Sequence, residues 1–185
     1  MRRAVNKLNM NREVPMKKSY RLYNVFFPIW FLFLFPMSWL VVLPVNFAVD
    51  TLVILLTLKI CAHELNRKEV YFKSIFSVWG LGFAADLAGA GVLMLTQLID
   101  SGAQGIWSDI ANGVARNPFE SVYSLLYVAA AVFISALLIY VLNNKFALKK
   151  AVPDEKLRRR LALNLAIFTA PYTFFVPTLW LYSQL

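Results

Sequence analysis

Two aspartates, Asp50 and Asp86, lie inside long apolar stretches of this 185-residue chain. An ionised carboxylate at the centre of a lipid bilayer costs at least about 2.5–3.5 kcal/mol, so an acid inside a membrane span usually marks an ion or proton path. No Lys or Arg lies in the middle of the apolar stretches, where it could pair with Asp86. We therefore interpret Asp86 as functional, whereas the position of Asp50 fits a functional and a structural role equally.

Other polar residues recur at helical spacing around the two acids. At about 100° per residue, Asn46 and Thr57 share the helix face of Asp50, and Gln97 shares that of Asp86. A later apolar stretch has a matching face, formed by Glu120, Ser124 and Tyr127. Such oxygen-rich faces suit protons and hard cations. The alternative is that the uncharged members only join helices, through hydrogen bonds worth about 0.6 kcal/mol each.

The composition indicates that lipid surrounds the elements that carry these residues. The chain is 59% hydrophobic and 16% charged, whereas soluble domains are about 45–50% apolar and about 25% charged. A membrane-spanning helix needs about 20 mostly apolar residues. Five stretches qualify, at 24–43, 44–62, 74–99, 119–142 and 161–182. The predicted fold class is an all-α integral membrane protein, a polytopic bundle of about five transmembrane helices in one domain (24–185) after a basic tail (1–23).

Prolines mark two irregular places in these spans. The first two spans form one apolar block, which we divide at Pro44 because proline suits the first turn of a helix. Pro171 and Pro177 interrupt the fifth span, and each removes a backbone donor and frees carbonyl oxygens. Those carbonyls could bind cations or permit a hinge. A static kink satisfied by Thr169 and Thr173 is the competing interpretation.

The packing of the second and third spans decides how the two acids meet. Consecutive antiparallel spans are expected to pack together, and Gly82 and Gly89, on or beside the Asp86 face, would let another helix come close. We place Asp86 nearer the level of Thr57 than of Asp50. Acids staggered in this way would suit successive stations for a proton or cation better than a paired dyad.

Basic residues predict the orientation. All of the 19 Lys and Arg residues except Arg116 lie in the tail, in 59–73 or in 145–160, and cytoplasmic loops collect Lys and Arg. The N-terminus is therefore predicted to be cytoplasmic and the C-terminus extracytoplasmic, in a cell membrane of the bacterial cytoplasmic type. The basic segments could also contact anionic lipid, although setting the orientation is the preferred explanation for them.

Two shorter elements lie outside the spans. Apolar residues in 100–118, including Trp107, recur on one helical face, which predicts an amphipathic helix on the outer surface or a cap over a pore mouth. Asp154 precedes a basic run and is predicted to be the N-cap of a helix that leads into the fifth span.

The sequence gives little support to an enzyme. Cys61, His63 and Glu64 lie close together, but side chains two residues apart on a helix point about 200° away from each other, so the Cys and His cannot pair without a helix break. His63 and Glu64 also lack the second His of a metalloprotease helix. We predict no catalytic residue and no cofactor, and leave a metal as unknown.

The leading hypothesis is a small membrane protein that handles an ion or solute: a transporter, a channel or the membrane subunit of one. A non-catalytic subunit for partner binding, assembly or regulation is the alternative, and an intramembrane enzyme is the third. The expected partners are the lipid bilayer and either further copies of the chain or a larger membrane complex. Nucleic acid is not expected, because the formal charge of +9 is explained by orientation.

Overall fold

The structure, a computed structural model, describes residues 28–34, 36–61, 66–99 and 105–182, and it is helical without strands over those ranges. The helices are α1 (Pro36–Cys61), α2 (Arg67–Ile99), α3 (Ile106–Arg116), α4 (Val122–Leu142), α5 (Glu155–Thr169) and α6 (Thr178–Tyr182). Shorter helical turns cover Ile29–Leu34, Pro118–Glu120, Asn143–Ala147 and Tyr172–Phe175. The predicted tail 1–23, and His63 with Glu64, lie outside the described residues.

Three of these helices are long and apolar enough to cross a membrane: α1, α2 and α4 extended through Ala147. The all-helical prediction is therefore confirmed over the described residues. The fifth predicted span is shorter, since α5 has 15 residues and ends before Pro171. After the break the chain continues as Tyr172–Phe175 and α6, and α6 contacts α3.

The predicted division of the first apolar block at Pro44 is wrong. α1 runs through this proline as a single helix, although an interior proline costs about 3 kcal/mol. Aromatic contacts with α2 on both sides of Pro44 hold the helix together. The Trp39 and Phe83 ring centroids are 5.3 Å apart, and those of Phe47 and Trp79 are 5.9 Å apart. Trp79 Nε1 also donates to the Leu43 carbonyl at 2.9 Å.

A single α1 changes the path of the chain. Trp30, shortly before α1, donates from Nε1 to the carbonyl oxygen of Val114 in α3 at 3.0 Å. α1 therefore begins at the α3 end of the bundle, opposite the end that holds Lys59, Arg67 and the other basic residues of the described chain except Arg116, which ends α3. The cytoplasmic N-terminus depended on an additional span, so it stays a prediction about residues outside the described ranges.

Two buried apolar clusters fill the bundle. One lies toward the basic end and includes Ile54, Ile75 and Leu161; the other lies toward α3 and includes Leu93 and Phe174. Both clusters contain residues of α2 and α4, so these two helices are at the centre of the packing. The acids lie where one cluster gives way to the other.

α3 is amphipathic, as predicted. Ala111 and Val114 on its apolar face are buried against the bundle, and Gln97 Nε2 of α2 donates to the Ala111 carbonyl at 3.0 Å. α3 therefore covers one end of the bundle. At the opposite end the predicted N-cap is confirmed, because the Asp154 carboxylate accepts from the backbone N–H of Lys156 and Leu157.

Candidate functional site: a cavity lined by two aspartates

A cavity of about 390 Å³ lies between α1, α2 and residues 168–173, where the helical structure after α5 is interrupted. Asp50 and Asp86 both line it, together with Asn46 and Thr169. The remaining walls are mostly aliphatic and aromatic. Its polar groups come from α1, α2 and the end of α5, which are far apart in the sequence. No short sequence motif could therefore predict the site.

The packing register of α1 and α2 brings the polar groups together. Asn46 Nδ2 donates to Asp86 Oδ2 at 3.2 Å. One helical turn closer to the basic end of the bundle, Asp50 of α1 lies opposite Gly82 of α2. A Cβ atom placed on Gly82 would be 3.8 Å from Asp50 Oδ2. Asn46 thus faces Asp86, and Asp50 faces the space left by the glycine.

This register corrects the predicted stagger of the acids. Asp86 lies at the level of Asn46 and Asp50, not at that of Thr57. The physical reason is the start of α2, which begins at Arg67, about two turns before the predicted start of the span. Asp86 is therefore further from the basic end than the sequence indicated, and the two acids belong to one cavity.

Asp86 is almost fully enclosed but incompletely bonded. The residue is 3% exposed, and Asp50 is 4% exposed. Among the residues that the structure describes, Asp86 Oδ1 has no hydrogen-bond partner, although buried polar atoms in native proteins nearly always have one. No Lys, Arg or His is among the described residues that line the cavity. A cation bound at this oxygen would be a partner for it, and a proton would remove the charge of the carboxylate.

The break after α5 is built around Pro171. Proline lacks the N–H that would bond the carbonyl of Ile167 in a continuous helix, and the hydroxyl of Tyr172 donates to that carbonyl instead, at 2.6 Å. The kink interpretation had assigned such a hydrogen bond to Thr173, but Tyr172 makes it instead. A tyrosine directly after the proline was the available signal, and sequence reasoning missed it.

Thr169 lies at the break and lines the cavity together with the two acids. Its hydroxyl donates to the Leu165 carbonyl oxygen at 2.7 Å. This hydrogen bond lies within the last turn of α5, so Thr169 bonds a carbonyl of its own helix, as the kink interpretation had proposed for this residue.

Two of the predicted site residues lie outside the cavity and join helices. Thr57 is buried and accepts a hydrogen bond from Asn164 Nδ2 of α5 at 3.1 Å. Gln97 donates to the backbone of α3 at Ala111. Both side chains already have partners within the bundle, which matches the interhelical role considered for uncharged polar residues.

The residues of the predicted polar face of α4 also lie outside the described lining of the cavity. Tyr127 donates to the carbonyl oxygen of Val92 in α2 at 2.9 Å. Ser124 is buried and donates to the carbonyl oxygen of Pro118 at 3.0 Å. Glu120 is exposed, in the turn before α4. The expected third oxygen-rich wall is therefore absent from the described lining of this cavity.

The two glycines predicted for helix packing have different surroundings. A Cβ atom on Gly89 would lie 2.0 Å from Ser135 Oγ and 3.3 Å from the Ala131 carbonyl oxygen, so the glycine permits close contact between α2 and α4. Gly82 borders the cavity and keeps it open. Pro177 is not among the described residues that line the cavity, and its carbonyl accepts from the Trp180 N–H.

Within the described chain, no three His, Cys, Asp or Glu side chains are grouped to hold a metal ion. Comparison of the chain with protein-family models, curated proteins and solved structures gave no match. Over the residues that it describes, the structure defines an all-helical protein with three candidate membrane-spanning helices. The cavity then supplies the basis for a functional proposal.

Proposed function

We propose that this chain is a small multi-pass membrane protein that handles an ion or solute, as a transporter, a channel or the membrane subunit of one. The observation that carries the proposal is the buried, unpartnered Oδ1 of Asp86, in a cavity that also contains Asp50. Keeping a carboxylate there without a counter-charge is costly. A bound cation or proton would offset that cost, so the site favours positively charged ligands.

The position of the cavity supports this proposal. Asp50 and Asp86 lie near the middle of α1 and α2, and the third wall is an interrupted helix. Many transport proteins bind their substrates near the bilayer midplane, beside helices whose regular hydrogen bonding is broken. We place the basic end of the described bundle in the cytoplasm, following the preference of Lys and Arg for cytoplasmic loops.

The test is flux across liposomes that contain the purified chain. Asp86→Asn keeps an oxygen that can accept from Asn46 but removes the carboxylate. We expect wild-type protein to move protons or cations down an imposed gradient and this variant to lose that flux. Glu69→Gln is the matched control, because Glu69 is an exposed acid on the same helix, paired with Lys73 at 2.6 Å. Equal flux through wild type and Asp86→Asn would refute the proposal.

A second candidate function, a partner-binding or assembly subunit, is favoured by one surface of α2. Gly80, Ala84 and Ala88 are exposed at four-residue spacing, and a Cβ atom on Gly80 would meet nothing within 4 Å. Small residues at this spacing let membrane helices associate. Substitutions at Gly82 or Gly89 would not test this surface, because both glycines face the interior.

Gly80→Leu separates the two candidates. If the chain acts by binding another membrane protein or a second copy through α2, this variant should lose the complex in co-purification from mild detergent, with Asp86→Asn retaining it. An unchanged complex in Gly80→Leu would exclude that surface as the contact.

A further inference from the structure

We infer that the cavity binds an amphipathic organic cation, which enters sideways from the bilayer through the gap between α1 and the break after α5. The inference rests on the proposed cation-handling function of Asp50 and Asp86 and specifies the ligand class. Three features support it: the mouth of the cavity, the composition of its walls and the shortage of oxygen ligands at its base.

The mouth of the cavity opens on the side of the bundle. Val41 and Val45 of α1, which line the cavity, are 67% and 55% exposed, and Phe168 and Tyr172 on the opposite rim are 64% and 52% exposed. α1 is a candidate membrane span, and these valines lie within its apolar length. The surface on which the mouth opens would therefore face lipid, so a ligand that partitions into lipid can reach the acids directly.

The walls and the base of the cavity differ in character. Valines and the rings of Phe83 and Phe168 form walls above the two carboxyl groups. Apolar walls bind apolar groups, and aromatic faces attract organic cations with about 2 kcal/mol or more when water is excluded. The cavity, at about 390 Å³, falls in the range of about 300–1,000 Å³ typical of sites for small organic ligands.

A bare inorganic cation matches the cavity less well. Ca²⁺ takes about six to eight oxygen ligands, and Mg²⁺ keeps several of its waters. The described base offers the carboxyl oxygens of Asp50 and Asp86, the Asn46 amide and the Thr169 hydroxyl, and the rest of the lining is largely apolar. A delocalised organic cation needs no such coordination shell and gains from burying its apolar surface.

Tetraphenylphosphonium is a suitable probe, and tetraphenylborate, nearly the same shape with the opposite charge, is its control. Binding to the full chain in mild detergent is measured by equilibrium dialysis. We expect saturable binding of the cation only, weakened at least about tenfold by Asp86→Asn, which corresponds to the loss of one close charged contact. Glu69→Gln should bind as wild type. Absent binding, equal binding of both ions, or an unchanged Kd in Asp86→Asn would overturn the inference.

Gly82 provides a test that leaves both acids in place. Gly82→Leu projects a large side chain beside Asp50 and should abolish binding, whereas Gly82→Ala places only a methyl group at ordinary contact distance, 3.8 Å from Asp50 Oδ2, and should retain it. Wild-type affinity in a folded Gly82→Leu protein would show that the probe binds elsewhere, which also overturns the inference. The far-ultraviolet circular dichroism spectrum establishes folding.

Lateral entry has its own measurement. In vesicles preloaded with the probe, Val45→Trp should slow its association by narrowing the mouth, and Leu40→Trp, on an exposed part of α1 that does not line the cavity, should not. Equal association rates for the two variants would overturn lateral entry.

The flux assay separates this inference from the proposed function. Asp86-dependent flux of protons or inorganic cations without tetraphenylphosphonium binding would leave the proposed function standing and overturn the ligand class. Asp86-dependent binding of the probe without flux of any ion, including the probe, would support the ligand class and refute the proposed transport function.

Discussion

Replacing Gly89 by Ala should destabilise the contact between α2 and α4 that holds Asp86 at the cavity. The added Cβ atom would lie 2.0 Å from Ser135 Oγ, 3.1 Å from the Phe174 ring and 3.3 Å from the Ala131 carbonyl oxygen. The serine must rotate, and it then gives up the hydrogen bond from its hydroxyl to the Ala85 carbonyl at 3.1 Å.

The magnitude follows from three contributions. Overpacking a filled interior costs about 1–3 kcal/mol, and the lost Ser135 hydrogen bond adds about 0.5–1.5 kcal/mol. The higher helix propensity of Ala over Gly stabilises the folded state by about 1 kcal/mol. The expected net loss is about 0.5–3.5 kcal/mol in the free energy of unfolding. Gly80→Ala, with open space around its Cβ position, should be neutral or stabilising by up to about 1 kcal/mol.

The assay is reversible unfolding by sodium dodecyl sulfate in mixed micelles, followed by circular dichroism. Adding Ser135→Ala to Gly89→Ala removes the nearest atom and should recover about 1 kcal/mol or more, measured as the coupling energy of a double-mutant cycle. If Gly89→Ala proves as stable as Gly80→Ala, the α2 and α4 helices do not pack at the distance described.

Three further predictions concern contacts outside the cavity. Asn164→Leu removes the hydrogen bond to Thr57 and should lower the free energy of unfolding by about 0.6 kcal/mol, with flux unchanged; lost flux would instead connect Asn164 to the path. Asp154→Ala should cost about 0.5–2 kcal/mol through loss of the N-cap, and Asp154→Ser should recover most of it, so equal losses would contradict a capping role. Trp30→Phe removes the donor to the Val114 carbonyl and should speed amide hydrogen exchange in α3, where an unchanged rate would argue against this contact as its anchor.

Local patterns in the sequence were sufficient for several features. Long apolar stretches predicted helices, the period of apolar residues predicted α3, and a carboxylate before a basic run predicted the cap at Asp154. Each of these signals depends on residues a few positions apart, where the bond geometry of a helix relates them directly. The position of Asp50 and Asp86 within apolar stretches also followed from the sequence alone.

Tertiary structure decided which of those residues meet. Pro44 remains inside α1 because aromatic side chains of α2 pack on both sides of it, and this contact outweighs the local preference of proline for a helix start. The register of α1 and α2 then placed Asp86 beside Asn46 and opened the cavity at Gly82. Helical periodicity gives the direction of a side chain around its own axis, but depth and partner depend on how far two helices slide past each other, which only their packing determines.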